Sequence, residues 1–95
     1  MELTAEQLDE IENFAGLYFT VEEVALILEL DPEKFRELYH DKSGDVYKRY
    51  TKGYLISESK VRKCLLDLAL RNSSPAQDAI RKLSKDTRNK NMSYE

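Results

Sequence analysis

The sequence contains little of what disulfide frameworks, metal sites and membrane spans are made from. Its 95 residues include one cysteine, one histidine, two prolines, three glycines and no tryptophan. A single cysteine excludes an internal disulfide and a zinc site built from several cysteines. Because residues that break helices are so few, the chain favours long helices over a many-turned β fold.

The chain also has no long apolar run. A transmembrane helix needs about 20 mostly apolar residues, and no segment here approaches that length. The first three residues, Met-Glu-Leu, are acidic and lack the pattern of a signal peptide. We therefore expect a small soluble protein with one modest core, located in the cytoplasm, or in the host cytoplasm if it is viral.

Charge is distributed unevenly along the sequence. The net charge is −3, but residues 1–45 hold 13 acidic and 3 basic side chains, whereas residues 46–95 hold 12 basic and 5 acidic ones. Such asymmetry indicates a partner for the basic half. That partner could be nucleic acid or the acidic half of another copy.

Four helix starts are encoded in the sequence. Thr4 with Gln7 and Thr20 with Glu23 each form a capping box. Asp31-Pro32 supplies a cap followed by proline at the first helical position, and Ser74-Pro75 with Gln77 repeats that arrangement. These signals predict an all-α fold of four or five helices.

The predicted order is a helix-turn-helix unit at 20–40, a long helix from about 46 to 71 and a short C-terminal helix. We expect residues 1–85 to form a single helical domain, with an association region at 46–85, and residues 86–95 to form a flexible polar tail. Gly53 lies inside the long helix, so a break there and a fold-back of the chain remain an alternative.

The most specific pattern lies at residues 20–40. Ala25 occupies the position where two short helices cross closely, and the turn between the helices spans residues 29–31. Many helix-turn-helix motifs place glycine in that turn, because its backbone needs a positive φ, but this chain has Glu29. The positions that fill the small core between the helices are Val24, Leu28, Leu30, Phe35 and Leu38.

A helix-turn-helix of this kind predicts contact with duplex DNA through its second helix. That helix also exposes Glu33 and Glu37, so we expect Arg36 and His40 to reach bases while basic residues elsewhere contact phosphates. The alternative is that the motif is only a packing unit. The candidate DNA-binding residues are Lys34, Arg36, His40, Lys42, Lys48, Arg49 and Lys52.

The long helix is apolar over much of its circumference, which favours self-association. Its apolar positions alternate spacings of three and four, as in a heptad seam. The candidate oligomerisation residues are Tyr54, Leu55, Val61, Leu65 and Leu68. Cys64 falls on the same face as Val61 and Leu68, and we expect it to be a buried structural thiol.

Beyond these patterns, the chain resembles small DNA-binding proteins of phages and prophages, above all terminase small subunits. The resemblance covers roughly residues 18–85 and rests on VYKRYTKG, SESKVRKCLLDLAL and RNSSPAQDAIRKL. It implies recognition of double-stranded viral DNA, assembly into a homo-oligomer through the helices at 46–85, and recruitment of a large terminase subunit. The recognition helix is more weakly charged, and the chain shorter, than the family leads one to expect.

Enzyme functions are not indicated. The sequence has no phosphate-binding loop and no zinc-binding helix, and His40 alone cannot form a histidine relay. We therefore predict no catalytic residues, no metal and no cofactor. Two other functions remain open: a protein-interaction or structural adaptor that keeps the helix-turn-helix fold, and a small transcription regulator.

Overall fold

The protein is all-α. A computed structural model describes residues 2–93 and contains five helices within them: α1 (Ala5–Gly16), α2 (Val21–Ile27), α3 (Pro32–His40), α4 (Asp45–Leu70) and α5 (Ser74–Met92). No strand occurs in this described range. The predicted fold class is confirmed, with the helix-turn-helix pair followed by one long and one C-terminal helix.

Contacts divide the chain into two compact units, with the boundary inside α4. The first unit ends at Glu58 and the second begins at Ser59. The first therefore holds α1, α2, α3 and the beginning of α4, and the second holds the end of α4 and α5. The units are described separately below, and a single domain over residues 1–85 remains a prediction.

The first unit has a well-formed core. Its buried members come from all four helices and are Ile11, Val24, Ala25, Phe35 and Val46. Leu28, Leu30 and Leu38 are partly buried against them, as the helix-turn-helix spacing predicts. Ala25 is fully buried, which fits its predicted place at a close helix contact.

The N-termini in this unit are set by the local signals in the sequence. Thr4 and Gln7 form a reciprocal capping box, and so do Thr20 and Glu23. The Asp31 carboxylate accepts a hydrogen bond from the Glu33 backbone N–H at 3.0 Å, and Pro32 begins α3. Each predicted cap in the first unit is confirmed, because caps depend on only four consecutive residues.

The turn between α2 and α3 has the backbone conformation that the motif requires. Glu29 adopts a φ of 57°, in the left-handed region, without the help of glycine. The Leu30 backbone N–H donates to the Ala25 carbonyl at 2.8 Å, which closes the turn. The departure from glycine at this position has therefore not altered the turn.

Helices α1 and α4 approach each other closely at two glycines. A Cβ atom on Gly53 would lie 2.0 Å from the Glu12 carbonyl oxygen, and one on Gly16 would lie 3.0 Å from the Ser57 hydroxyl. Ser57 donates a hydrogen bond to the Gly16 carbonyl at 2.5 Å. Gly53 thus permits backbone contact between helices, and α4 continues through it unbroken.

The second unit is a pair of helices joined by a tight turn. Asn72 ends the turn region with a φ of 70°, and the Ser73 hydroxyl caps α5 by accepting from the Ala76 backbone N–H at 3.4 Å. The cap is therefore Ser73 and not the predicted Ser74. Gln77 does not close a capping box; its amide donates to the Ala69 carbonyl at 3.1 Å and ties α5 to α4.

Helix α5 is longer than the sequence indicated. The helix was expected to end near residue 85 and to be followed by a flexible tail at 86–95, but it continues to Met92. That boundary was wrong because polarity was taken as the end of the helix, whereas an exposed helix can be polar on most sides. Tyr94 and Glu95 lie outside the described residues.

The lengths and apolarity of the helices also bear on whether one could span a membrane. Between residues 2 and 93, none of them is both long and apolar enough to cross a bilayer.

Candidate nucleic-acid interface

The outward side of α3 carries charges of both signs. Lys34, Arg36 and His40 are exposed, as expected of residues that contact DNA, but so are Glu33 and Glu37. The Arg36 guanidinium also lies 3.7 Å from the Glu22 carboxylate. This pair is exposed, so it holds Arg36 weakly and leaves it able to exchange partners.

The basic segment that follows is not wholly available for phosphates. The Arg49 guanidinium is bonded to the Asp9 carboxylate and, at 2.9 Å, to that of Glu12. Lys52 lies 3.6 Å from Glu12 as well. The pKa of Arg49 is raised, chiefly by its hydrogen bond to Asp9. Both side chains were predicted to contact DNA, yet here they join α4 to α1.

Lys48 and Lys42 remain as exposed cations near the end of the motif. Lys42 adjoins Asp41, whose carboxylate accepts hydrogen bonds from the Ser43 hydroxyl at 2.6 Å and from its backbone N–H at 3.1 Å. These hydrogen bonds, led by the hydroxyl, lower the pKa of Asp41 and keep it ionised. A persistent negative charge beside Lys42 weakens its attraction for phosphate.

The two units differ in net charge, and this difference moves the candidate phosphate-binding surface from the first unit to the second. Residues 1–58 carry 14 acidic and 6 basic side chains, a balance of −8, whereas residues 59–95 carry 9 basic and 4 acidic ones, a balance of +5. The helix-turn-helix therefore lies on the acidic unit. Phosphate binding through counterion release favours the basic one.

A basic stripe on α5 was not among the features predicted from the sequence. It consists of Arg81, Lys85 and Arg88, with Lys82 at its edge, and all four side chains are exposed. Spacings of four and three residues place the first three on one side of a helix. The spacing is present in the sequence, but Arg88 lies beyond residue 85, where the helix was predicted to end.

The predicted association residues are largely accessible. Tyr54, Leu55, Val61 and Leu68 have exposed fractions between 41% and 52%, and Leu65 is partly buried. Within the first unit, the Tyr54 ring packs against that of Tyr18 with centroids 5.7 Å apart. Apolar side chains exposed to this extent are available to a partner.

Cys64 corrects one prediction. It was expected to be a buried structural thiol, but it is exposed. The heptad spacing placed it correctly beside Val61 and Leu68, yet that side of α4 is itself half exposed in the second unit. Shared periodicity identifies a common side of a helix, but burial depends on whether another element covers it.

Two further observations bear on the chemistry of the chain. Among residues 2–93, no group of three or more His, Cys, Asp or Glu side chains is arranged to hold a metal ion. A hollow of about 390 Å³ in the first unit is lined by apolar residues, including Leu3, Leu8 and Leu38, and by the acidic residues Glu2, Asp41 and Asp45. Acidic residues in its lining make it unsuitable for phosphate groups.

No protein-family description, curated protein or solved structure matches the chain.

Proposed function

We propose that the chain is a DNA-binding module of the viral DNA-packaging type, similar to a terminase small subunit, which binds double-stranded DNA and self-associates. The observation that carries this proposal is the combination of a helix-turn-helix pair, with its left-handed turn at Glu29, and an exposed basic stripe on α5. The first is the usual scaffold for reading the major groove, and the second supplies positive charge for the DNA backbone.

In this proposal the two units have different tasks. Arg36 and His40 on α3 contact base edges, where a few hydrogen bonds discriminate between sequences. Arg81, Lys85 and Arg88 on α5 contact phosphates and supply most of the affinity. Lys34, Lys42 and Lys48 contribute less, since they lie on the acidic unit, and Arg49 and Lys52 have a structural role in joining α1 and α4.

Self-association is proposed to use the apolar surface of α4. The exposed Val61 and Leu68 lie on one side of this helix, with Cys64 between them. Burying such side chains between copies contributes roughly 25 cal/mol for each Å² of apolar surface removed from water. A large terminase subunit is the further partner that the resemblance implies, and a reducing cytoplasm is the setting proposed.

Fluorescence anisotropy with a labelled duplex, measured over a series of salt concentrations, tests the DNA-binding part. The decisive variant is Arg81→Gln/Lys85→Gln/Arg88→Gln, with Lys34→Gln/Lys42→Gln/Lys48→Gln as a control that removes the same charge from the first unit. Loss of three phosphate contacts should flatten the slope of log affinity against log salt by about 3. The control should flatten it by much less.

Two results would contradict the proposal. The wild-type chain could fail to bind duplex DNA even at low salt, or the two triple variants could lose affinity equally. For the association part, light scattering should show a mass that rises with concentration and that is lower in Val61→Lys/Leu68→Lys than in the wild-type chain at the same concentration. A wild-type mass that stays monomeric would remove self-association from the proposal.

The acidity of the first unit favours one second candidate, a protein-interaction adaptor. A balance of −8 over residues 1–58 suits a basic protein partner better than it suits DNA. If duplex DNA does not bind at low salt but a basic partner does, in a manner that high salt abolishes, the adaptor replaces the DNA-binding module.

A further inference from the structure

The second unit contains an apolar groove between α4 and α5. Its walls are one side of α4, including Lys63 and Leu66, and one side of α5, including Ile80 and Leu83. The groove is open, has a volume of about 440 Å³ and is lined mainly by apolar surface, and Leu66 is 45% exposed. Arg62 and Lys63 place basic side chains along the α4 wall.

The second unit has a small core. We therefore interpret the groove as a binding surface and not as imperfect packing between two helices. Among its described residues only Ala76 is buried, at 4% exposure, whereas the first unit buries six apolar side chains in its interior. Two helices with so little shared core depend on further apolar contact, because most helical stability in proteins comes from packing. An occupant of the groove would supply that contact.

The first unit carries a surface of complementary character. Leu26 and Ile27 are 59% and 44% exposed on α2, although both are large apolar side chains. They lie one turn after Glu22 and Glu23, and all four side chains are exposed, although Ile27 is only one turn from the buried Val24. We call this set, Glu22, Glu23, Leu26 and Ile27, the outer α2 surface.

We propose that the groove of one copy binds the outer α2 surface of a second copy. Leu26 and Ile27 enter between Leu66, Ile80 and Leu83, while the acidic side chains of α2 face the basic wall of the groove. The proposal specifies the partner in the self-association proposed above, and it rests on that function. It differs from the α4 contact, since it joins two unlike surfaces.

Charge decides between this arrangement and the pairing of two grooves. Pairing groove with groove would bring together two units of charge +5, each with a basic wall, and like charges opposed in an interface are costly. Pairing the groove with the outer α2 surface joins a unit of +5 to a unit of −8. A contact between unlike surfaces can be repeated from copy to copy, so it generates a ring or a filament.

Disulfide trapping tests the contact directly and does not depend on Val61 or Leu68. In a Cys64→Ser background, Ile27→Cys and Leu66→Cys are introduced into separate chains, which are mixed and mildly oxidised. The mixed pair should form a cross-linked dimer at least tenfold faster than either variant alone. Leu17→Cys mixed with Leu66→Cys is the control, because Leu17 is a leucine in the same unit as Ile27 and is more exposed, at 67% against 44%.

A chain that carries both Ile27→Cys and Leu66→Cys should form a ladder of cross-linked species. Faster cross-linking of Leu66→Cys with itself would show that grooves pair with each other and would overturn the proposal. A disulfide within one chain, or a rate equal to that of the Leu17→Cys control, would also overturn it. DNA binding and the light-scattering result for Val61 and Leu68 are measured on other variants, so failure here is distinguishable from failure of the proposed function.

Discussion

The two units show how differently one short chain can be stabilised along its length. The first unit packs four helical segments around fully buried side chains such as Ile11, Val24 and Phe35. The second packs two helices and, within its described residues, buries only Ala76, which keeps 4% of its surface exposed. Because large buried side chains contribute most of the stability of a small domain, the first unit should fold on its own contacts and the second should gain stability from a partner.

The largest expected effect comes from removing the centre of the first core. Phe35→Ala leaves a cavity at a position with no exposure and should lower the free energy of unfolding by roughly 3–5 kcal/mol. Urea denaturation followed by circular dichroism measures the loss. The matched change in the second unit, Leu66→Ala, removes a half-exposed side chain and should cost far less in dilute solution. Equal losses would show that the units are not stabilised differently.

Gly53→Ala should also destabilise the first unit, although alanine is the better helix former by about 1 kcal/mol. Its methyl group would meet the Glu12 carbonyl oxygen at 2.0 Å, and backbone cannot move aside as a flexible side chain can. We expect a net loss of about 1–3 kcal/mol from overpacking. Gly16→Ala, where the nearest atom is the Ser57 hydroxyl at 3.0 Å, is the milder comparison. A stabilised Gly53→Ala variant would disprove the close contact of α1 with α4.

Removing one helix cap in each unit should give smaller effects of unequal size. Thr20→Ala breaks a reciprocal capping box and should cost about 1 kcal/mol. Ser73→Ala removes a longer hydrogen bond of 3.4 Å and should cost only a few tenths of a kcal/mol. Amide hydrogen exchange resolves where each loss falls. Ser73→Ala should raise exchange only after residue 59, and a loss of protection throughout α2 and α3 would contradict the division into units.

The smallest expected effect is confined to alkaline pH. Tyr50 donates a hydrogen bond to the Phe19 carbonyl at 2.6 Å, and its burial raises its pKa. A folded-state pKa above the unfolded value of about 10 contributes stability that is present below that pH and is lost as the pH rises through the folded value. Urea midpoints from pH 8 to 11 should therefore fall, and Tyr50→Phe should reduce the fall. Part of the fall should remain in the Tyr50→Phe variant, because the pKa of Tyr18 is also raised, by its hydrogen bond to Glu58.

The features that could be predicted from the sequence are the local ones. The caps at Thr4, Thr20 and Asp31 were correct because each involves side chains within three residues of one another. The role of Arg49 was not predictable in this way, since its partners lie 37 and 40 residues away on α1. The exposure of Cys64 depends equally on tertiary packing, and periodicity alone does not report whether a helix face is covered.

The candidate interface was predictable in part. Exposure of Lys34, Arg36 and His40 follows from their positions on α3, and the structure agrees. The basic stripe on α5 could have been found from the spacing of Arg81, Lys85 and Arg88, had the helix been extended past residue 85. The engagement of Arg49 and Lys52 with Glu12 required the fold itself.

The left-handed turn at Glu29 also bears on the tolerance of the chain to mutation. A residue other than glycine in this conformation lowers the free energy of unfolding by roughly 1–2 kcal/mol, a penalty that glycine avoids. Glu29 is exposed, so replacing it with glycine removes this strain at the sacrifice of few contacts. Glycine at this position should therefore increase the stability of the fold. A chain that acquired Glu29→Gly could absorb one moderately destabilising substitution elsewhere, such as a change in α3, and still fold.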